Sequence, residues 1–138
     1  MESRRLGDLM HEKGIRRTPQ RVAVWREFSE RPGSTIREAA LRLKSAGIGQ
    51  ATVYRAVKAL EAAGLLLGFP APSGELRYAA VLGHAHLLVC EKCGEVTRFG
   101  ECQLNDYETE VQRETGYRIS GHTLVIYGVC PRCQEGGR

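Results

Sequence analysis

Apolar residues in the first 65 positions recur every three or four residues, the spacing that places them on one face of a helix. The pattern predicts a short helix over residues 4–13 and a longer one from Pro19 to about Arg31. Thr18 suits the N-cap of the second helix, because Pro19 then takes the first helical position. A third helix is expected after the capping residue Thr35, and a fourth over residues 50–63. The start of the chain is therefore predicted to be helical.

A predicted β-hairpin follows the fourth helix. Residues 65–69 and 76–78 are strand-like runs, and residues 70–74 between them are rich in Pro and Gly. Three helices with a Gly-containing turn between the last two, followed by a two-stranded hairpin, are typical of a winged helix-turn-helix. In that arrangement the fourth helix of this chain would lie in the major groove of DNA.

The pattern changes to strands after residues 81–83, which we expect to form a hinge. Residues 86–90 and 95–99 predict a second hairpin, and residues 104–115 predict a helix that ends at Gly116. Strand-like segments are then predicted at residues 117–120 and 122–129. Within the second of these, Leu124–Tyr127 is a continuous apolar run, as expected for a strand covered on both sides. Too few residues remain to cover it, so we expect a second copy of the chain to do so.

Two Cys-x-x-Cys pairs, Cys90 with Cys93 and Cys130 with Cys133, are the strongest chemical signal in the chain. Four thiolates satisfy the closed tetrahedral site of a structural zinc ion. The 36 residues between the pairs exceed those of a compact zinc ribbon, so the metal would tie the C-terminal tail to the second hairpin. The alternative is a redox dithiol or two disulfides, but no strand–helix–strand pattern surrounds either pair.

Charge is unevenly distributed along the 138 residues. Residues 1–80 carry 14 Lys and Arg against 8 Asp and Glu, whereas residues 81–138 carry 6 against 8. A basic N-terminal part favours a polyanionic partner such as double-stranded DNA. No apolar stretch is long enough to span a membrane, and the first five residues lack the apolar core of a signal peptide. We therefore expect a cytoplasmic protein with no membrane partner.

Several short motifs, in order along almost the whole chain, resemble the ferric uptake regulator (Fur) family of bacterial metal-sensing repressors. They are Thr18–Arg21, Ala51–Arg55, Gly83–His86, Cys90–Gly94, Gly121–Thr123 and Tyr127–Cys133. The resemblance implies an α+β fold. Its parts would be an N-terminal winged helix-turn-helix domain (residues 1–80), the hinge (81–83) and a small α/β dimerisation domain (84–138) with the four-cysteine zinc site. It also implies a homodimer that binds a palindromic operator when loaded with metal, and we favour the zinc-sensing, Zur-like branch.

The resemblance places DNA contacts on the fourth helix, at Tyr54 and Arg55. An Arg can read guanine through two hydrogen bonds, and a Tyr can pack on a thymine methyl group or bond a phosphate. The alternative is a solvated basic helix face. Five further DNA-binding candidates lie on the same helix, at the head of the second helix and on the wing: Thr52, Lys58, Arg21, Arg17 and Arg77.

A regulatory metal site is also implied, but this sequence keeps it only in part. His84 and His86 share one face of a strand start and match ligands of the family's hinge site. The other usual ligands of that site are missing, since Ala79 and Arg98 stand where the family has acidic residues. A third-helix His is likewise replaced, by Ser34 or Thr35. Of a second family metal position, only His122 remains.

Substitute ligands would be needed to complete a working site. Cys102, the fifth cysteine, would form a tetrahedron with the two histidines and one more ligand, and such a site favours zinc. The sequence leaves that ligand open among His122, His11 and Glu101, and Cys102 itself could instead be a small buried apolar residue. Glu101 or Glu108 would supply oxygens, which would favour iron or manganese as the regulatory metal.

Two other functional classes are alternatives to a metal-responsive repressor. A zinc enzyme would need an open coordination position, a general base and a pocket, and no His-Glu-x-x-His or similar motif is present. We therefore expect no enzymatic activity and no small-molecule substrate. A constitutive DNA-binding protein with purely structural zinc is the more serious rival, because both family metal positions are altered.

Overall fold

The computed structural model describes residues 2–100 and 102–136. Its N-terminal part is a set of α-helices with one turn of 3-10 helix before the last of them. The bounds are α1 (Glu2–Glu12), α2 (Pro19–Glu30), α3 (Ile36–Leu43), the 3-10 turn (Lys44–Ala46) and α4 (Gln50–Ala62). Each of the four predicted helices is present, with ends that differ from the prediction by one or two residues. Among the described residues, no helix is long and apolar enough to cross a bilayer.

Local capping explains where α2 and α3 begin. Thr18 Oγ1 accepts a hydrogen bond from the Arg21 backbone N–H at 3.1 Å, and Pro19 takes the first helical position. Thr35 Oγ1 accepts from the Glu38 N–H at 3.0 Å, while the Glu38 carboxylate accepts from the Thr35 N–H at 2.9 Å. This reciprocal capping box satisfies amide donors that a helix start otherwise leaves without partners. Both predicted helix starts are confirmed.

The helical core is built around aromatic side chains of α2. Trp25 and Phe28 are 2 % and 0 % exposed, and they pack with apolar residues of α3 and α4. The Trp25 indole N–H donates to the Leu65 carbonyl oxygen at 2.9 Å, so the largest buried side chain has a polar partner. This bond joins α2 to the segment that leads out of α4, and it fixes the helices relative to the wing.

The wing is an antiparallel hairpin of β1 (Leu66–Pro70) and β2 (Leu76–Ala80). Because side chains alternate along a strand, the hairpin has two apolar faces. Leu66 and Tyr78 point into the helical core, whereas Phe69 and Ala79 belong to a second apolar cluster on the other side. The predicted hairpin is confirmed, and it is buried on both faces.

The C-terminal part contains a three-stranded sheet of order β4-β3-β5. Strand β3 pairs antiparallel with β4 and parallel with β5. The elements are β3 (His86–Cys90), β4 (Val96–Phe99), α5 (Asn105–Thr115), β5 (Val125–Gly128) and α6 (Pro131–Glu135). Helices and two small sheets together form the α+β fold that the sequence predicts.

Two predictions for the C-terminal segments are wrong. Residues 117–120 form no strand, because α5 ends at Gly116 with φ +77° and the Ile119 N–H then donates to the Gln112 side chain at 2.8 Å. The next strand is only Val125–Gly128, shorter than the predicted 122–129. It is an edge strand of the sheet, and Ile126 is 44 % exposed within the single chain. Its cover by a second copy stays a prediction.

The wing and the three-stranded sheet share the second apolar cluster. Phe69 and Ala79 of the wing pack with Leu87 and Val89 of β3, and all four side chains are at most 2 % exposed. Apolar area that both parts remove from water stabilises their contact. The expected division at residues 81–83 therefore lies beside a continuous core.

Two close contacts reinforce this joint between the wing and the sheet. Gly33, after α2, has φ +93°, and a Cβ placed there would lie 2.9 Å from the Val96 side chain of β4. Only glycine satisfies both the backbone angle and the close approach. The Arg98 guanidinium of β4 donates to the Ala80 carbonyl oxygen at 2.6 Å. The sheet thus contacts both the α2–α3 connection and the end of the wing.

Candidate metal centres and DNA-binding face

Four cysteine side chains converge at one end of the second sheet. Cys90 ends β3, Cys93 lies in the following turn, Cys130 precedes α6 and Cys133 lies within it. The Sγ atoms of Cys90 and Cys133 are 3.9 Å apart, and those of Cys93 and Cys130 are 3.8 Å apart. In a tetrahedral site with Zn–S distances of about 2.3 Å, the sulfurs are separated by about 3.8 Å. The four residues therefore fit a structural zinc ion.

Hydrogen bonds shift the pKa values of two of the four thiols in opposite directions. The backbone N–H groups of Cys93 and Cys130 donate to Cys90 Sγ at 3.5 and 3.3 Å, and they lower the pKa of Cys90 to about 6. The pKa of Cys133 is raised to about 12. The largest cause is its side-chain hydrogen bond with Cys130, followed by burial and by hydrogen bonds with the other two thiols. Arg132 Nη2 lies 3.6 Å from Cys93 Sγ and places a positive charge beside it. A coordinated zinc ion would deprotonate the remaining thiols outright.

A second cluster combines three imidazoles with one thiol. His84 and His86 lie at the start of β3, Cys102 follows β4, and His122 precedes β5. His86 Nε2 is 3.0 Å from His84 Nε2 and 3.2 Å from His122 Nε2. Cys102 Sγ is 3.3 Å from His122 Nε2. Residues that are far apart in sequence thus direct four donor atoms to one point.

The donor set of this second cluster also fits a metal ion. Zn–N distances of about 2.0–2.1 Å and a Zn–S distance of about 2.3 Å imply N···N and N···S separations of about 3.3 and 3.6 Å in a tetrahedron. The observed separations of 3.0, 3.2 and 3.3 Å are slightly shorter. Small side-chain rotations would therefore accommodate the ion. All four donor atoms lie within 4.8 Å of one another.

The other candidate ligands are placed differently. His11 is exposed in the last turn of α1 and is not a member of the cluster among the described residues. Glu101 lies outside the described residues. Glu108, on α5, does not join the four donors, and its Oε2 instead lies 2.8 Å from Nδ1 of His122. The structure thus favours His122 among the alternatives for the fourth ligand.

Helix α4 presents the predicted DNA-binding residues on its outer side. Tyr54 is 52 % exposed, and Arg55 and Lys58 are exposed as well. Lys58 Nζ lies 5.3 Å from the centroid of the Tyr54 ring, and Arg55 Nη2 donates to Thr52 Oγ1 at 3.3 Å. The opposite face of the helix is buried, with Val53 fully covered. This division leaves an aromatic ring and two cations available to a ligand.

The other three candidate DNA-binding residues are arginines outside α4, and they differ in how freely their side chains could reach DNA. Arg21 lines a shallow cleft together with Thr52 and Arg55. Arg17 is exposed, and its guanidinium lies across Gly7 of α1. Arg77 is turned inward, since it donates to the Gly33 carbonyl oxygen at 2.6 Å and also pairs with Glu75. Arg77 is therefore the weakest of the three candidates.

The family model described as the ferric uptake regulator family matches residues 12–127. The chain belongs to the ferric uptake regulator family. It is 40 % identical over 92 residues to a ferric uptake regulation protein of Neisseria meningitidis, and the match covers 66 % of this chain and 64 % of that relative. It is 30 % identical over 131 residues to the peroxide-responsive repressor PerR of Staphylococcus epidermidis, covering 93 % and 87 % of the two chains.

A solved structure of another protein shows the same fold. A zinc uptake regulator complexed with zinc and DNA superposes with a TM-score of 0.76, at 21 % identity, and the match covers 96 % of this chain and 92 % of that one. At this level of identity the likeness concerns the fold alone. At Arg98 the resemblance leads us to expect a hinge acid, whereas the structure shows a donor to the Ala80 carbonyl oxygen.

Proposed function

We propose that this protein is a metal-dependent transcriptional repressor of the cytoplasm that binds operator DNA as a homodimer and responds to zinc. The cluster of His84, His86, Cys102 and His122 carries the proposal, because it offers a complete tetrahedral donor set apart from the four-cysteine site. The names of the relatives support a regulator rather than an enzyme. The exposed cations and aromatic ring of α4 support DNA as the partner.

The donor chemistry supports zinc as the regulatory metal. Three imidazole nitrogens and one thiolate suit zinc, whereas iron(II) and manganese(II) are better served by oxygen-rich sites. The carboxylate nearest to the cluster, that of Glu108, is engaged with a histidine nitrogen rather than with the donor centre. Iron or manganese would therefore bind this donor set less well than zinc.

Packing offers the route from this cluster to the DNA-binding part. His86 is 1 % exposed, and the next residue, Leu87, packs in the apolar cluster that includes Phe69 of the wing. On the other side of the cluster, His84 and His122 line a cavity with Glu61 at the end of α4. Metal binding would fix the start of β3, and these contacts would pass that constraint to the wing and to α4. Metal and DNA would then each raise the affinity for the other by the same factor.

Operator binding with and without the second metal tests this function. The operator is first selected from random DNA duplexes with zinc-loaded protein. We expect about two zinc ions per chain in the wild type and about one in the His84→Ala/His86→Ala double variant. We also expect the double variant to bind the selected operator about 5- to 150-fold more weakly, the usual range of such coupling. Metal content by elemental analysis and affinity by fluorescence anisotropy are the two measurements.

The alternative is constitutive DNA binding with structural zinc only. Its support is the hydrogen bond from Arg98 to Ala80, which ties the sheet to the wing without any metal. Equal operator affinity in the wild type and the double variant, with the four-cysteine zinc retained in both, would establish this alternative and refute metal sensing.

Replacing Arg55 with Ala should weaken operator binding by about 1–3 kcal/mol and relax the preference at one base pair, because a lost base contact acts locally. Titration of the selected operator and of its single-base variants measures both effects. Arg113→Ala is the matched control, since it removes the same charge from α5 in the C-terminal part. If both variants weaken binding equally, Arg55 contributes only general electrostatic attraction.

A further inference from the structure

We propose that Glu108 is a positioning residue for the regulatory metal site, holding the His122 imidazole so that Nε2 faces the other three donors. The inference rests on the proposed function and adds a residue that coordinates nothing itself. The two nitrogens of the His122 ring have different tasks. Nδ1 lies 2.8 Å from the Glu108 carboxylate, while Nε2 lies 3.2 Å from His86 Nε2 and 3.3 Å from Cys102 Sγ.

The local structure explains why His122 needs such support. It lies between α5 and β5, in a segment without helix or strand, so no backbone ladder fixes its position. Helix α5 supplies two side-chain contacts to this segment from one face, one turn apart. Glu108 accepts from His122 Nδ1–H, and Gln112 Oε1 accepts from the Ile119 N–H at 2.8 Å. Together these two hydrogen bonds hold residues 119–122 against α5.

The chemistry of the pair fits a supporting carboxylate. A carboxylate can only accept a hydrogen bond, so a neutral His122 must carry its proton on Nδ1 and leave the Nε2 lone pair free for a metal. Metal-ligating histidines commonly donate their other N–H to a carboxylate in this manner, and loss of the partner typically lowers metal affinity 10- to 100-fold. A divalent ion carries two positive charges, and the Cys102 thiolate supplies one negative charge. The Glu108 carboxylate adds a second negative charge nearby, whereas the three neutral imidazoles add none.

The same contact connects the metal site to α5. This helix has no buried residue, and Glu108 is one of its half-buried side chains. Few apolar contacts therefore hold the helix, and a segment of this kind opens locally at low free-energy cost. Ordering His122 with metal would consequently protect α5 through Glu108 and Gln112. Helix α5 becomes the part of the chain whose stability reports on metal occupancy.

The role of Glu108 is tested on protein that carries zinc only in the four-cysteine site. Cobalt(II) is titrated into the second site and followed by visible absorption, and zinc affinity is then measured by competition with cobalt. The variants are Glu108→Ala, Glu108→Gln and the control Glu110→Ala, an exposed acid on the same helix. We expect Glu108→Ala to lower second-site affinity about 10- to 100-fold. Glu108→Gln retains an acceptor oxygen, so it should recover most of this loss and keep the four-coordinate cobalt spectrum. Amide exchange of α5 should slow on metal binding in the wild type and much less in Glu108→Ala.

The possible results separate this inference from the proposed function. If the wild type takes up no second metal, the regulatory site itself fails. If the wild type binds a second metal and Glu108→Ala matches Glu110→Ala, the positioning role is overturned. The role is also overturned if Glu108→Gln is as weak as Glu108→Ala and the cobalt spectrum changes coordination number, since Glu108 would then be a ligand. One retained zinc per chain and an unchanged far-ultraviolet circular dichroism spectrum show that each variant is folded.

Discussion

Replacing Cys130 with Ser will remove zinc from the four-cysteine site and strongly destabilise the protein. A metal present at about 1,000 times its dissociation constant stabilises the folded state by about 4 kcal/mol, and the variant forfeits this contribution. The C-terminal segment that contains α6 follows β5, the last strand of the sheet. Without zinc, this segment should detach from the sheet first. Zinc content by elemental analysis and chemical denaturation with and without a chelator measure the effect.

Cys102→Ser is the matched control for this prediction. Its thiol belongs to the histidine cluster, so the variant should retain the structural zinc and, in protein with one zinc per chain, unfold at nearly the wild-type denaturant concentration. If Cys130→Ser retains one tightly bound zinc and wild-type stability, the four cysteines do not form a zinc site. Disulfide formation would instead appear as loss of free thiols without any bound metal.

Replacing Phe69 with Ala will destabilise the protein by about 3–5 kcal/mol, because it removes a large side chain from a closed core. Phe69 is 1 % exposed and lies between the wing and β3. The cavity would open at the joint between the wing and the three-stranded sheet. We therefore expect a second effect, a smaller response of operator affinity to the regulatory metal. Denaturation midpoints and operator titrations with and without zinc measure the two consequences.

Phe28→Ala provides the comparison. Phe28 is 0 % exposed and belongs to the helical core, so its loss should cost a similar free energy. It does not belong to the joint, and the metal response of the remaining folded protein should be unchanged. Equal loss of metal response in both variants would show that general destabilisation, rather than the joint, reduces the coupling.

The sequence is most informative where short-range chemistry determines structure. Capping at Thr18 and Thr35 marks helix starts within a few residues, and the structure confirms both. The cysteine spacing is similarly local, since each Cys-x-x-Cys pair forms on one turn. The meeting of the two pairs depends on tertiary structure. In a metal-binding chain, however, four thiols in two pairs have few arrangements other than one shared site.

The remaining features depend on packing that no local pattern encodes. Glu108 lies 14 residues from His122, and the position of α5 decides whether its carboxylate reaches the centre of the donor cluster or a ring nitrogen. The absent strand at residues 117–120 depends equally on a side chain of α5. The two-sided wing did leave a signal, because Leu65–Leu67 and Phe69 interrupt the alternation of an exposed hairpin, and such a run is typical of a strand covered on both faces.

A wing buried on both faces also restricts where evolution can alter it. Its strands contribute to two cores at once, so a change of register or side-chain size in β1 or β2 would disturb both. The turn at residues 71–75 is different, since residues 72–75 are exposed and the loop is closed by a hydrogen bond from the Ala71 N–H to the Glu75 carbonyl oxygen at 2.8 Å. Insertions and new charges can accumulate there at little cost to either core. Divergence between the wings of related proteins should therefore be concentrated in this turn.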